Sequence, residues 1–136
     1  MSCKSLILTA NTTATTVPVG SAVPVGSIIR RYGNSLLANG STINVRESGY
    51  YDVDFNATFG GTAGIATFTV YVNGVAIPGA TASETISTAN TERRSVAINT
   101  VVRVYCCAGA NISVLVDSAS TSTPNVQSSA LRVVRV

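Results

Sequence analysis

Hydrophobic and polar residues alternate with a period of two along much of the chain, most clearly from Asp52 to Phe59. Every second residue from Val53 to Phe59 is apolar, and the intervening residues are polar. Because successive side chains of a strand point to opposite faces, this stretch is predicted to be a half-buried strand. Its polar face carries Asp52 and Asp54 and is expected to meet water or a partner.

The same alternation recurs in residues 66–72, 94–106, 111–118 and 129–136. The pair Asn73-Gly74 predicts a tight hairpin, since both turn positions of that hairpin require positive φ. Turn signals divide the chain into about eight short strands with almost no helix, which is typical of an antiparallel sandwich or jelly roll. The signals are Asn39-Gly40, Gly60-Gly61, Asn73-Gly74, Pro78-Gly79 and Gly109.

The first 26 residues are rich in Thr, Val, Pro and Gly. Pro18 and Pro24 restrict them to edge strand or extended connector. Two interpretations stay open within a single domain spanning residues 1–136. The segment either forms the first strands of the sandwich or serves as an attachment arm that adds to a neighbouring protein, with Cys3, Leu6 and Leu8 as its contact residues.

Composition points towards association. A chain of 136 residues suits one domain, and 46% of its residues are hydrophobic while only 11% are charged. No uninterrupted apolar run reaches the roughly 18 residues of a membrane span, and "SLILTA" is too short for an export signal. We therefore expect no membrane partner and assign the excess apolar character to contacts between subunits.

Candidate chemistry is sparse. The chain contains no His, which excludes a His-based triad, and no nucleophile–base pair stands out, so we expect no enzyme activity and no cofactor. Asp52 and Asp54 offer too few oxygens for calcium, and no metal is predicted. The net charge of +3 comes mainly from arginines that lack interleaved aromatic residues, which argues against a nucleic-acid partner.

Three cysteines leave one thiol unmatched within a monomer. Cys106 and Cys107 would point to opposite faces of a strand, so one would be buried and the other would look outward, towards Cys3 or a symmetry mate. Three reduced structural thiols are the simpler interpretation, and zinc lacks a fourth ligand.

The order of these motifs resembles the C1q/TNF-like jelly roll. The resemblance rests on "STINVRESGYYDVDFNATF", "FTVYVNGVAIPGA", "RRSVAINTVVRVYCCAGANISVLVDS" and "SSALRVVRV", which together cover most of the chain. It implies an all-β antiparallel sandwich that assembles as a compact homotrimer. It places Tyr51, Val53, Phe55 and Phe59 in the core. The predicted interface or partner-facing residues are Tyr50, Asp52, Asp54, Tyr71 and Tyr105.

The short form opening "MSCKSL" is similar to small proteins of bacterial viruses that carry this fold. The similarity implies a structural protein of a bacteriophage virion, a trimeric capsid decoration or head-fibre module bound to a capsid or other virion protein. Such a protein would be made in the host cytoplasm and displayed on the particle surface. The alternative is a fibre-tip or surface module that binds a receptor or glycan.

Overall fold

The computed structural model describes residues 5–105 and 109–136, and all regular structure in those ranges is β-strand. The strands are β1 (Leu6–Asn11), β2 (Thr15–Thr16), β3 (Ser27–Tyr32), β4 (Leu36–Asn39), β5 (Thr42–Val45), β6 (Gly49–Gly61), β7 (Gly64–Val72), β8 (Val75–Ile86), β9 (Arg94–Val104), β10 (Ala110–Val116) and β11 (Pro124–Arg135). The all-β prediction is confirmed, although the described part holds eleven strands rather than about eight.

The strands form two antiparallel sheets. The larger has the order β3-β1-β11-β6-β9, with β2 paired to the start of β11. The smaller has the order β4-β5-β10-β7-β8. The chain crosses from one sheet to the other after β3, β5, β6, β8, β9 and β10, and the arrangement is a jelly-roll sandwich.

The core lies between the two sheets and contains the residues that alternation predicted. Val53 and Phe59 of β6 are fully buried. The ring of Phe68, from the opposite sheet, lies 5.0 Å from that of Phe59 and 6.1 Å from that of Phe55, measured between centroids. These aromatic contacts join the two layers.

Tyr51 is also buried, as predicted, and its hydroxyl donates a hydrogen bond of 2.8 Å to the carbonyl of Glu47. Burial raises the pKa of the Tyr51 phenol, and the nearby positive charge of Arg135 opposes that rise. The phenol therefore stays neutral and serves as a hydrogen-bond donor in the core.

The Asn73-Gly74 hairpin is confirmed, with φ of 52° and 79° at its two turn residues. Of two other turn signals, one lies directly before its turn and one was wrong. Gly60-Gly61 ends β6, and the turn follows at residues 62–63. Pro78-Gly79 lies inside β8, where the pairing with β7 shifts register. A bulge leaves ladder positions unpaired, so it accommodates a residue without an N–H group.

The N-terminal segment is part of the sandwich from residue 5 onward. β1 pairs with β11 on one side and β3 on the other, so neither of its edges is free to add to another sheet. Leu6 and Leu8 are partly buried on its outer face, where their contact with a partner stays a prediction. Cys3, Cys106 and Cys107 lie outside the described residues, and the predictions about the thiols stay open.

Residues 17–25 run from β2 to β3, which both belong to the larger sheet, and form hydrogen bonds to strands of both sheets. The N–H of Val17 donates to the carbonyl of Pro124 at 3.0 Å, and that of Val23 donates to the carbonyl of Val114 at 2.8 Å. Val17, Val23 and Val25 are buried between these bonds. These residues form an extended connector in the structure, and an attachment role for the first 26 residues stays a prediction.

Candidate functional site

The outer face of the larger sheet brings charged and apolar side chains together. We call it the charged face, and its residues come from alternate positions of four adjacent strands. They are Leu6 and Leu8 of β1, Tyr50, Asp52 and Asp54 of β6, Asn99, Val101 and Arg103 of β9, and Arg132 and Val134 of β11.

Asp52 and Asp54 form a cluster with two residues from the flanking strands. Arg132 lies opposite Asp54 in the register, and its Nη2 contacts the carboxylates of Asp54 and, at 3.3 Å, Asp52. On the other side, Nδ2 of Asn99 donates to Asp52 Oδ1 at 3.1 Å and to Asp54. The two carboxylates are thus bound to donors of the same chain, and the cluster carries one net negative charge.

The cluster is poorly suited to bind a metal ion, because Asp52 and Asp54 would first have to break their hydrogen bonds to Arg132 and Asn99. Throughout residues 5–105 and 109–136, no three metal-binding side chains of the His, Cys, Asp or Glu type come together.

Tyr50 and Tyr105 meet through a residue that sequence reasoning missed. The guanidinium carbon of Arg103 lies 4.8 Å from the centroid of the Tyr50 ring and 4.9 Å from that of Tyr105. Arg103 also donates a hydrogen bond of 2.8 Å to the Tyr50 hydroxyl. Cation–π contacts on both sides hold the guanidinium and order two exposed rings at this end of the charged face.

Apolar side chains accompany these polar groups. Val101 is 55% exposed and Tyr50 is 51% exposed. Nearby, a shallow depression of about 450 Å³ is lined by Leu8, Ala97 and Ala130, together with the Asp54–Arg132 pair. Exposed valine and tyrosine next to an open apolar depression are typical of a surface that contacts another protein.

The edge strand β3 continues this apolar character. All its residues are exposed, including Ile28, Ile29 and Tyr32. It also carries Arg30 and Arg31, neither of which forms an ion pair within the described ranges. The larger sheet therefore has an apolar, positively charged edge at β3 and a negatively charged cluster on its outer face.

The five predicted interface residues do not share one surface. Tyr50, Asp52, Asp54 and Tyr105 belong to the charged face or its end. Tyr71 lies on β7 of the other sheet, opposite Ser113, and is partly buried. Its side chain accordingly faces the other side of the sandwich.

The outer face of the smaller sheet consists mainly of hydroxyl and amide side chains, and we call it the hydroxyl face. Thr67 and Ser83 are joined at 2.8 Å by their hydroxyls, and Thr69 and Thr81 at 3.1 Å. The amides of Asn44 and Asn111 are joined at 2.9 Å. These cross-strand pairs satisfy one another within the sheet.

Asp117 lies at the margin of the hydroxyl face. Its carboxylate accepts a hydrogen bond of 2.9 Å from the Ala119 N–H and one of 3.0 Å from the Thr69 hydroxyl. These donors, with the Ala119 N–H as the largest cause, hold the pKa of the Asp117 carboxyl below its usual value. The ionised group thus stabilises the turn that follows β10.

The architecture is that of the C1q/TNF-like jelly roll. No family model matches the chain, and no curated protein matches it significantly. Among solved structures, murine APRIL at pH 5.0 is 12% identical, with 98% of this chain and 100% of that chain covered and a TM-score of 0.69. The globular domain of zebrafish complement 1qA protein is 9% identical, with 97% and 96% covered and a TM-score of 0.69.

A viral structure shares the same fold. The PRD1 vertex protein P5 is 12% identical, with 97% of this chain and 96% of that chain covered and a TM-score of 0.60. At these sequence identities, the structural similarity shows only that the fold is shared. The names of the three proteins do not denote enzymes. In the described part of the chain no helix is long and apolar enough to cross a membrane.

Proposed function

We propose that the chain is a non-enzymatic structural protein that assembles as a homotrimer through its larger sheet. The observation that carries this proposal is the charged face, where exposed apolar side chains surround charges that already have partners. Burying such a face removes apolar area from water, and it costs less than burying lone charges.

Charge complementarity supports contact between copies of the same chain. The Asp52–Asp54–Arg132 cluster has an excess negative charge, and the β3 edge offers Arg30 and Arg31 without carboxylate partners in the described ranges. If the β3 edge of one protomer packs against the charged face of the next, each protomer uses two different surfaces. Contacts of that kind close into a ring when the rotation between neighbours is a whole fraction of a turn, and a ring of three agrees with the trimer that the C1q/TNF resemblance implies.

The further proposal is that this trimer belongs to a bacteriophage virion, as a capsid decoration or head-fibre module on the particle surface. The likeness to the PRD1 vertex protein P5 supports this by showing that the fold serves in a virion. The proposal comes from fold-level analogy combined with an apolar surface suited to assembly.

Sedimentation equilibrium of the purified protein at micromolar concentration tests the assembly. We expect a single species with three times the 13.9 kDa mass of one chain. A monodisperse monomer would contradict the proposed role of the charged face.

The virion assignment requires its own experiment. Particles induced from the strain that carries the gene are purified by density gradient, and their proteins are identified by mass spectrometry. We expect the chain to co-purify with the particle at a fixed ratio to the major capsid protein. Its absence from intact particles would contradict the virion role without affecting the trimer.

A further inference from the structure

A second surface lies at the end of the sandwich where β6 ends. It is a cleft of about 310 Å³, and we call it the glycine-end cleft. Its walls include Thr16, Gly61, Asn90, Arg93, Asn125 and Gln127. It lies at the opposite end of β6 from Tyr50, so it is separate from the tyrosine–arginine cluster of the charged face.

Backbone hydrogen bonds fix the walls of this cleft. The N–H of Asn90, which has a φ of 66°, donates to the carbonyl of Gly61 at 2.9 Å. The N–H of Thr123 donates to Oγ1 of Thr62 at 2.7 Å. Three chain segments are thereby held together before any ligand arrives, which lowers the entropic cost of binding.

The amide side chains within the cleft are also oriented. Nδ2 of Asn125 donates to Oγ1 of Thr16 at 2.9 Å, and Nε2 of Gln127 donates to Oδ1 of Asn125. A primary amide has two donor hydrogens and an acceptor oxygen, so each of these side chains keeps further hydrogen-bonding capacity for a ligand. Such a row of oriented amides and a hydroxyl suits a ligand with several hydroxyl groups.

Arg93 gives the cleft a positive charge that no carboxylate of the described chain neutralises. Within residues 5–105 and 109–136, its Nη1 donates a hydrogen bond only to the neighbouring carbonyl of Glu92, at 3.4 Å. The carboxylate of Glu92 is bound elsewhere, because it accepts from Arg94 Nε at 2.8 Å and from the Ser87 N–H at 3.2 Å. These donors, with Arg94 as the largest cause, lower the pKa of the Glu92 carboxyl.

Gly60 provides the room that the Arg93 side chain occupies. A Cβ at position 60 would come within 2.8 Å of Arg93 Nη1 and 3.0 Å of the Glu92 carbonyl oxygen. The absence of a side chain on β6 therefore lets the guanidinium lie close to the strand beside the cleft. Gly60 therefore serves the packing of the Arg93 side chain on β6 rather than a turn.

We propose that the glycine-end cleft binds an acidic saccharide, whose carboxylate pairs with Arg93 and whose hydroxyls bond to the Asn and Gln amides. Guanidinium and carboxylate match as a bidentate pair, and a charge-assisted bond is stronger than a neutral one. The lining has no aromatic ring on which a neutral sugar could stack.

Titration calorimetry with glucuronate, glucose and inorganic phosphate tests the proposal. We expect millimolar binding of glucuronate, and binding of glucose and phosphate that is weaker by about ten-fold or more, because glucose lacks the charge and phosphate lacks the hydroxyls. Equal binding of glucose would overturn the role of the charge. Equal binding of phosphate would reduce the cleft to a simple anion site and overturn the saccharide assignment.

Variants of the arginine locate the binding. We expect Arg93→Gln to weaken glucuronate binding by about ten-fold or more and Arg93→Lys to weaken it less, because lysine keeps the charge without the planar fork. The matched control is Arg46→Gln, which removes an exposed arginine near the other end of β6 and should change nothing. Circular dichroism checks that each variant is folded. An unchanged affinity in folded Arg93→Gln would overturn the proposal.

Discussion

The two outer faces of the sandwich are built by the same alternation and differ in what they present. On the hydroxyl face, neighbours such as Thr69 and Thr81 bond to each other across strands and leave little for a partner to gain. On the charged face, Val101 and Tyr50 are half exposed beside two carboxylates that already have donors on the same chain. A sheet thus becomes an interface through its apolar residues, while the polar residues around them determine how costly burial is.

Removing the core beneath both faces should have the largest effect. Phe68→Ala deletes a fully buried ring that contacts Phe55 and Phe59, and we expect a loss of about 3–5 kcal/mol in the free energy of unfolding. Urea unfolding followed by circular dichroism measures it. A loss below about 1 kcal/mol would mean that the two sheets do not depend on this contact.

A charge introduced on the charged face or on the hydroxyl face tests which of the two faces takes part in assembly. Val101→Lys replaces an exposed apolar side chain of the charged face with a positive charge that Arg30 and Arg31 of the neighbouring protomer would repel, and we expect it to raise the dissociation constant of the trimer by about 100-fold or more. The matched control is Thr85→Lys, at an exposed residue of β8 on the smaller sheet, which should leave assembly unchanged. Sedimentation velocity over a concentration series compares the two. Equal effects from both variants would remove the distinction between the faces.

The stability contributions of the Asp52–Asp54–Arg132 cluster and of the hydroxyl pairs should depend differently on salt concentration. Arg132→Gln leaves two carboxylates side by side, and we expect a loss of about 1 kcal/mol, because the pair is partly exposed and therefore screened. That loss should shrink in 1 M NaCl, at which the Debye length is about 3 Å.

Thr81→Val is the control for the salt experiment, since it removes an uncharged hydroxyl bond on the hydroxyl face. We expect it to cost about 1 kcal/mol at either salt concentration. Thermal melts at low and high salt measure the stability loss of both variants. The same salt dependence in Arg132→Gln and Thr81→Val would contradict an electrostatic contribution of Arg132.

Acid should lower the stability of the fold, because it protonates the Asp117 carboxylate at the margin of the hydroxyl face. Because its pKa is lower in the folded chain than the usual 3.8, its contribution to stability is complete above that value and is lost as the pH falls through the folded pKa. Between pH 5 and pH 2, the wild type should therefore lose stability more steeply than Asp117→Asn. If the free energy of unfolding fell in parallel with pH for the wild type and Asp117→Asn, the Ala119 and Thr69 donors would not favour the ionised form of Asp117.

Chelation should have the smallest effect on either face. Asp52 and Asp54 are bound to Arg132 and Asn99, so we expect thermal melts with and without EDTA to coincide. A fall of several degrees in the presence of EDTA would reveal a metal ion that stabilises the fold.

Local sequence patterns were sufficient for the strand faces. The alternation around Val53 and Phe59 placed both in the core, and Asn73-Gly74 gave its hairpin, because each signal depends on residues a few positions apart. The glycine and proline signals were less specific. A glycine permits close approach of another chain segment as readily as a turn, so Gly60-Gly61 and Pro78-Gly79 could not be placed within strands from sequence alone.

The partners of the predicted site residues depend on register between distant strands. Asp54 meets Arg132 and Asn99 only because β11 and β9 flank β6 in that alignment. Alternation shows which residues of one strand share a face and does not show which other strand lies beside it. The same limit explains Tyr71, whose strand belongs to the smaller sheet.

The position of β11 affects the order in which the larger sheet can form. It lies in the middle of the larger sheet, between β1 and β6, and pairs Leu6 with Val134. Until β11 has inserted, β1 and β6 each have an open edge that could pair with another chain. Completion of the larger sheet therefore depends on contacts between distant parts of the sequence, and such contacts form slowly and leave the open edges exposed to misassembly.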